Sequence, residues 1–350
     1  MEPAQMTPAW LTDALRERFP KVHVASVEVL DVKHGTNSHV RLRASYDAGG
    51  EELPETYFVK LPPLDDARRQ QIIDTGMGRR EAYFYRTLAD RVSMRVPRPY
   101  VSHYDEATGE FVILIEDLTG GTFPDLMDGI QYPQAQHAMR DFAALHVRYE
   151  DPATREREAG WVTYMPGGSD FGSSMLQYGL DHHRERLTDP FAELAELYIA
   201  RQADLEALWR GGETTVVQGD THIGNMFLDG ERPGFLDWGL IQLGPAMRDV
   251  AYFLCMTLSP ETRRQHERAL IAQYLEHRHA LVARAATLEE AWLGYRVQAA
   301  YCVPAACPLV LFPEDETPEQ ARLSRAFLMR SESAVADLEA RAAVREAAGF

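Results

Sequence analysis

The chain has 350 residues, 45% of them hydrophobic and 25% charged, which is enough apolar material for two lobes sharing an interface. A formal charge of −17 would repel a phosphate backbone, and no basic stripe interleaved with aromatics runs through the sequence, so nucleic acid is not an expected partner; a cationic substrate is admitted without being required. The three cysteines, Cys255, Cys302 and Cys307, are odd in number and lack zinc-type spacing, which fits a reducing compartment where thiols act as small apolar groups.

Residues 1–10 carry neither a basic n-region nor an apolar h-region, so no secretory signal is read there. The longest apolar run, 299–312, is too short for a bilayer and is broken by Pro304 and Pro308. A cytoplasmic protein without a membrane partner is the expectation.

Along the chain, β-branched and aromatic runs bounded by Gly, Pro and Asp predict strands at 22–30, 39–46, 55–61 and 111–115. Helices are predicted at 64–73 and 79–92, separated by a turn at 74–78. From residue 133 onward the 3.6-residue period predicts helices at 133–149, 191–209, 247–258, 261–279, 288–303 and 318–343. One β interruption is expected at 215–218, 226–228 and 234–236, with Asp229-Gly230 as a hairpin turn. The expected architecture is α+β and two-lobed: a small sheet-rich N-lobe over residues 1–118 and a larger, mostly helical C-lobe over 119–350, joined near 116–121.

The segment Gln218-Gly219-Asp220-Thr221-His222-Ile223-Gly224-Asn225, followed after the hairpin by Asp237-Trp238-Gly239, carries the clearest chemistry. Phosphoryl transfer needs a carboxylate to orient and deprotonate the attacking hydroxyl, and oxygen ligands that hold Mg²⁺ against the phosphates. An Asp-x-x-x-x-Asn loop supplies both, with Asp220 as the base, Asn225 offering an amide oxygen to the metal and Asp237 the charged metal ligand. Either residue alone would read as turn or cap chemistry. Turn chemistry does not require the ordered pattern of Asp, Asn, strand, tight turn, strand and second Asp.

At Gly219, Asp220, His222, Asn225, Asp237 and Trp238 the chain resembles the aminoglycoside phosphotransferase and choline kinase superfamily, including its ecdysteroid-kinase-like branch, which shares the protein kinase fold. The resemblance spans roughly residues 30 to 260. It departs at Gln218, where that superfamily usually has a histidine supporting the loop; glutamine still donates and accepts hydrogen bonds. The resemblance implies a small-molecule kinase that uses ATP or another NTP with Mg²⁺ and phosphorylates a small alcohol.

It also implies an N-lobe lysine for the phosphates and a helix glutamate to hold it. Lys60, in the strand Tyr57-Phe58-Val59-Lys60-Leu61, shares a strand face with Phe58. Glu81 falls on one helical stripe with Tyr85 and Leu88, where a carboxylate needs a cationic partner, and Lys60 is the matching candidate; a solvated glutamate is the alternative. Gly35, Thr36, Asn37 and Ser38 stand where kinase-like folds place the phosphate-covering loop, or form a plain hairpin turn. Glu116 and Leu118 occupy the expected hinge, offering backbone groups to adenine. Asp249 resembles an aspartate that braces the catalytic loop through backbone amides, or serves a helix dipole. His146 reads as a packed helix histidine, and His182-His183 as a solvated pair.

No Gly-x4-Gly-Lys-Ser/Thr loop, Gly-x-Gly-x-x-Gly after a strand, or Gly-x-Ser-x-Gly occurs. The main competing reading is a catalytically weak pseudokinase or nucleotide-binding module, with Gln218 as its foothold. A protein kinase is disfavoured because 238–247 leaves little room for a peptide platform. Tyr295, Tyr301 and residues 302–313 are expected to shape the acceptor pocket, with mixed aromatic and apolar lining.

Overall fold

Residues 3–282, 286–314 and 316–349 are described by the computed structural model; the outermost limits of the expected lobes, residues 1 and 350, lie outside them. The chain divides into two units, one running to Gly121 and taking in Leu236–Ile241, the other made of Thr122–Phe235 and the chain from Gln242 onward.

In the first unit, α1 (Pro8–Leu15) opens with Thr7 accepting the Trp10 N–H at 3.2 Å and proline in its first turn. Five antiparallel strands follow in the spatial order β1-β2-β3-β5-β4: β1 (His23–His34), β2 (Ser38–Ala48), β3 (Thr56–Leu61), β4 (Pro99–Tyr104) and β5 (Phe111–Glu116). The edge strand β4 is not among the strands expected from the sequence; it starts at Pro99, and at the first residue of an edge strand a proline's missing N–H costs the ladder nothing. Tyr57, Val59 and Leu61 join Leu11 and Leu15 in a core that buries α1 against one sheet face, each such side chain contributing about 1.5–3 kcal/mol. By strand alternation, Phe58 and Lys60 face the other way.

On that opposite side, α2 (Asp66–Thr75) and α3 (Met77–Thr87) are separated by Gly76 alone, at φ 69°, a left-handed conformation that suits glycine. Along α3, Glu81, Ala82, Phe84 and Tyr85 are buried. The returning segment Leu236–Ile241 packs on α3, where Trp238 stacks on Phe84 with ring centroids 3.7 Å apart and Arg80 donates to the Ile241 carbonyl at 2.8 Å.

The second unit is mostly helical. It comprises α4 (Tyr132–Glu150), α5 (Pro152–Ala159), α6 (Phe171–His183) and α7 (Asp189–Arg210), then β6 (Thr214–Val217), β7 (Met226–Asp229), β8 (Arg232–Phe235) and β9 (Gln242–Pro245). The helices α8 (Met247–Thr257), α9 (Pro260–His279), α10 (Leu288–Ala299), α11 (Cys302–Ala305), α12 (Pro318–Asp337) and α13 (Ala340–Ala348) complete it. The strands form two antiparallel pairs, β6 with β9 and β7 with β8. The helix expected over 318–343 breaks at Glu339, which takes φ 47° while Arg296 Nε donates to the Leu338 carbonyl at 2.7 Å; the turn seats Ala340, Ala343 and Val344 in the core with Phe191 and Leu205. Among the described residues no helix is long and apolar enough to cross a membrane.

Candidate active site

In the first unit, Lys60 and Glu81 form a buried, two-pronged ion pair, Nζ to Oε1 2.7 Å and to Oε2 2.6 Å. The pair exists because β3 aims Lys60 away from the α1 core while α3 turns Glu81 inward. Asp237, which is 40% exposed, approaches the same ammonium at 3.7 Å and accepts the Gly239 N–H. Its φ of 50° is unusual for a residue with a side chain, a conformation that functional sites often hold. Burial works against the Lys60 ammonium, but the carboxylates of Asp237 and Glu81 outweigh it and hold its pKa above the ordinary value. Burial pushes the Glu81 carboxyl up to about 7, against the pull of Lys60 and of a Trp238 backbone N–H. Directly opposite Lys60 in the β2–β3 register sits His39, whose ring is held down at about 4 by burial and then by the Lys60 charge.

Gly35, Thr36 and Asn37 form the tip between β1 and β2, with Gly35 N–H donating to the Asn37 carbonyl at 3.0 Å and Arg68 donating to the Gly35 carbonyl at 3.3 Å. Ser38 Oγ meets His34 Nδ1 at 3.0 Å. At the end of β5, the Glu116 N–H donates to Arg98 O at 2.9 Å, and its carboxylate is gripped by Arg95 at 2.7 and 2.9 Å. The Leu118 carbonyl accepts the Gly121 N–H at 2.8 Å.

In the second unit, the loop after β6 is braced from below. Asp249, fully buried in the first turn of α8, accepts the backbone N–H of Gln218 at 2.7 Å and of Gly219 at 2.8 Å. Gly219 takes φ 87°, which turns the chain so that both amides point at one carboxylate. Gln218 Oε1 accepts the Asp220 N–H at 2.6 Å, and Thr221 Oγ1 donates to the Asp249 carbonyl at 3.1 Å. Above this brace Asp220 Oδ2 accepts from Asn225 Nδ2 at 2.8 Å and lies 3.4 Å from His222 Nε2. His222 Nδ1 accepts the Gly224 N–H at 3.0 Å, so Nε2 is the ring nitrogen presented to Asp220.

Asn225 spends its NH₂ on Asp220, through both Oδ2 and the carbonyl, which leaves its Oδ1 as the kind of neutral oxygen a hard cation takes. Among the described residues no group of three or more His, Cys, Asp or Glu is arranged to hold a metal ion.

Sequence reasoning missed the share of His146 in this brace. It is buried in α4, with Nε2 3.3 Å from Asp249 Oδ2 and Nδ1 2.9 Å from the Tyr274 hydroxyl. Its place on the apolar stripe with Phe142 and Leu145 was visible; its pairing with Asp249, 103 residues away, was not. Tyr295, expected at an acceptor pocket, is instead a fully buried core residue that donates to Glu267 at 2.7 Å.

The antiparallel N-terminal sheet and the mostly helical remainder define an α+β, protein-kinase-like fold. The chain belongs to the phosphotransferase enzyme family, whose model matches residues 35–288. None of the curated protein sequences matches it. Among solved structures it resembles an ethanolamine kinase of Plasmodium vivax, at 14% identity and TM-score 0.51 over 91% of this chain and 83% of that one. Spectinomycin phosphotransferase in complex with ADP and spectinomycin is similar at 12% identity and TM-score 0.53, covering 96% and 99% of the two chains. The GDP complex of aminoglycoside 2′-phosphotransferase-IIIa is similar at 13% identity and TM-score 0.50, covering 94% and 99%.

Proposed function

We propose that this protein is a small-molecule kinase that transfers the γ-phosphoryl group of ATP, or another nucleoside triphosphate, to a hydroxyl of its substrate. The observation that carries the reading is the state of Asp220: its backbone is fixed through Gln218, its Oδ2 is oriented by Asn225, and its side chain remains 22% exposed to an incoming hydroxyl. The Gln218 bond supports catalysis over a non-catalytic module, because the position that departs from the superfamily's usual histidine still braces the loop.

In this mechanism Asp220 orients the acceptor hydroxyl and takes its proton as the new P–O bond forms and the bond from the γ-phosphorus to the departing nucleoside diphosphate breaks, while His222 Nε2 steadies the same carboxylate. Lys60 binds nucleotide phosphate oxygens, and Glu81 keeps the ammonium charged and aimed. Gly35, Thr36, Asn37 and Ser38 cover the phosphates, while the Glu116 carbonyl and the Leu118 N–H hold the base. Asn225 and Asp237 would hold Mg²⁺, which when bound neutralises phosphate charge. Asp249 and His146 act only through the loop they brace. The residues up to about 118 serve as the nucleotide lobe, and the remainder as the catalytic and acceptor lobe. The three free, buried cysteines support a reducing, cytoplasmic setting.

A small acceptor is favoured by the economy of the chain between Asp237 and Asp249. One 3₁₀ turn, β9 and the start of α8 use up that stretch, leaving no length for a peptide platform. The test is Asp220→Asn, expected to retain nucleotide affinity by calorimetry while turnover falls by about 10²–10⁴. Unchanged turnover would remove Asp220 from the role of base. Labelled ATP is then offered separately to a host proteome and to its metabolite extract, and label is expected in the metabolites. Efficient label in diverse proteins alone would reject a small acceptor.

A further inference from the structure

Arg248, immediately before the bracing Asp249, is only 8% exposed. Its neighbours are rings: its Cζ lies 2.9 Å from the Tyr301 centroid and 5.9 Å from that of Tyr252. Among the described residues the guanidinium forms no ion pair and no hydrogen bond, in contrast to the other buried arginines of this unit, Arg263, Arg278 and Arg330, which are held by carboxylates or carbonyls. Although the residue is largely buried, its guanidinium nitrogens keep contact with solvent, so the N–H donors stay open to an incoming acceptor, and the aromatic faces supply none of matching strength.

The place is next to the chemistry. Tyr252 packs edge-on to His222 with centroids 6.2 Å apart, and His222 faces Asp220. The Tyr252 hydroxyl is pushed well above its ordinary range by burial and then by the Asp220 carboxylate, with Arg248 pulling it the other way, so one hydroxyl feels both charges. Tyr301 meets Tyr252 at 5.7 Å and Trp209 at 5.6 Å, and Phe327 closes on His222 at 4.7 Å. An aromatic wall of this kind without an internal cation would suit a quaternary ammonium. Here Arg248 already covers the Tyr301 face, and a cationic headgroup arriving there would meet like charge.

We propose that Arg248 receives an oxyanion of the acceptor, so that the kinase acts on an anionic alcohol, a hydroxyl compound carrying a carboxylate or phosphate with an apolar or aromatic body. This deepens the kinase reading and rests on it for the word acceptor. The planar guanidinium pairs with such a group through two parallel N–H bonds, fixing its orientation as well as its charge.

The experiment titrates benzoate, phenyl phosphate and choline, without nucleotide, into the wild type and into Arg248→Met, Arg248→Gln, Arg248→Lys and Lys60→Met, by calorimetry. At least one of the two anions is expected to bind the wild type and Lys60→Met alike, to bind Arg248→Met at least tenfold more weakly, and to bind Arg248→Lys with intermediate affinity. The anion that depends more steeply on Arg248 identifies the oxyanion. Equal anion binding by wild type and Arg248→Met, no anion binding by wild type, loss of anion binding in Lys60→Met, or tighter binding of choline than of either anion would each overturn the proposal. Circular dichroism checks each fold, and Arg248→Gln carries the comparison if the methionine variant does not fold. ATP binding is measured separately: its absence sinks the kinase reading and leaves the anion result standing.

Discussion

The Gln218 side chain and the Asp220 backbone are joined, Oε1 accepting N–H at 2.6 Å, inside a loop whose two preceding amides both belong to Asp249. The direction in which Asp220 presents its carboxylate is thereby set from beneath. Gln218→Leu keeps the volume and removes the acceptor, so it is expected to lower kcat by tenfold or more with little change in nucleotide affinity, and to cost about 1–3 kcal/mol for the stranded amide. Gln218→His, which can still accept, is expected to retain most turnover. Steady-state kinetics on the two variants check this, and equal rates for Leu and wild type would show that the bond does not orient Asp220 for turnover.

Asp249 anchors more than its share of the second unit: it accepts two backbone amides and faces His146 while fully buried. Asp249→Ala strands all three donors. A loss of about 3–5 kcal/mol in urea unfolding is expected, together with loss of activity, whereas His146→Gln should cost less than half as much. Comparable losses from the two substitutions would mean that the histidine, not the aspartate, holds the loop.

Lys60 and Glu81 are coupled, so their substitutions should not add. Lys60→Met leaves a carboxyl that burial has already moved to about 7, ready to take up a proton. Glu81→Gln leaves an ammonium beside Asp237 alone. The double variant is therefore expected to lose far less nucleotide affinity than the two single losses combined, with a coupling of about 1–3 kcal/mol by calorimetry. Strict additivity would place the pair apart.

His39 makes the first unit sensitive to acid. Its pKa in the folded chain, about 4, lies below its ordinary 6.5. Between these values the unfolded chain takes up a proton that the folded chain rejects. The stability tied to a neutral His39 is thus complete above pH 6.5 and is lost as pH falls toward 4. With the ring's partial exposure discounted, the loss is roughly 1–2 kcal/mol. His39→Gln should flatten that part of the pH–stability curve measured by urea unfolding; an unchanged slope would assign it to other groups.

Local periodicity was enough to mark most of the elements that carry these groups. The strand under Lys60, the inward stripe of Glu81, the Asp229-Gly230 hairpin and the helix start at Asp249 are each written within a few neighbouring residues, where alternation, turn chemistry and amphipathic spacing act. The sheet-plus-helix class followed from the same signals.

Other features were decided by distant parts of the chain. The edge strand β4 exists because β5 offers a ladder that outweighs its prolines, and α12 stops at Asp337, short of the turn at Glu339, because Arg296 caps Leu338 and the core takes Val344. His146 reaches Asp249 across 103 residues, and Arg248 lies over the rings of Tyr252 and Tyr301. A strand's alternation or a turn's glycine reports only on what its neighbours require. Whether a buried polar group finds a partner depends on which segments the tertiary fold brings beside it, and no local pattern records that.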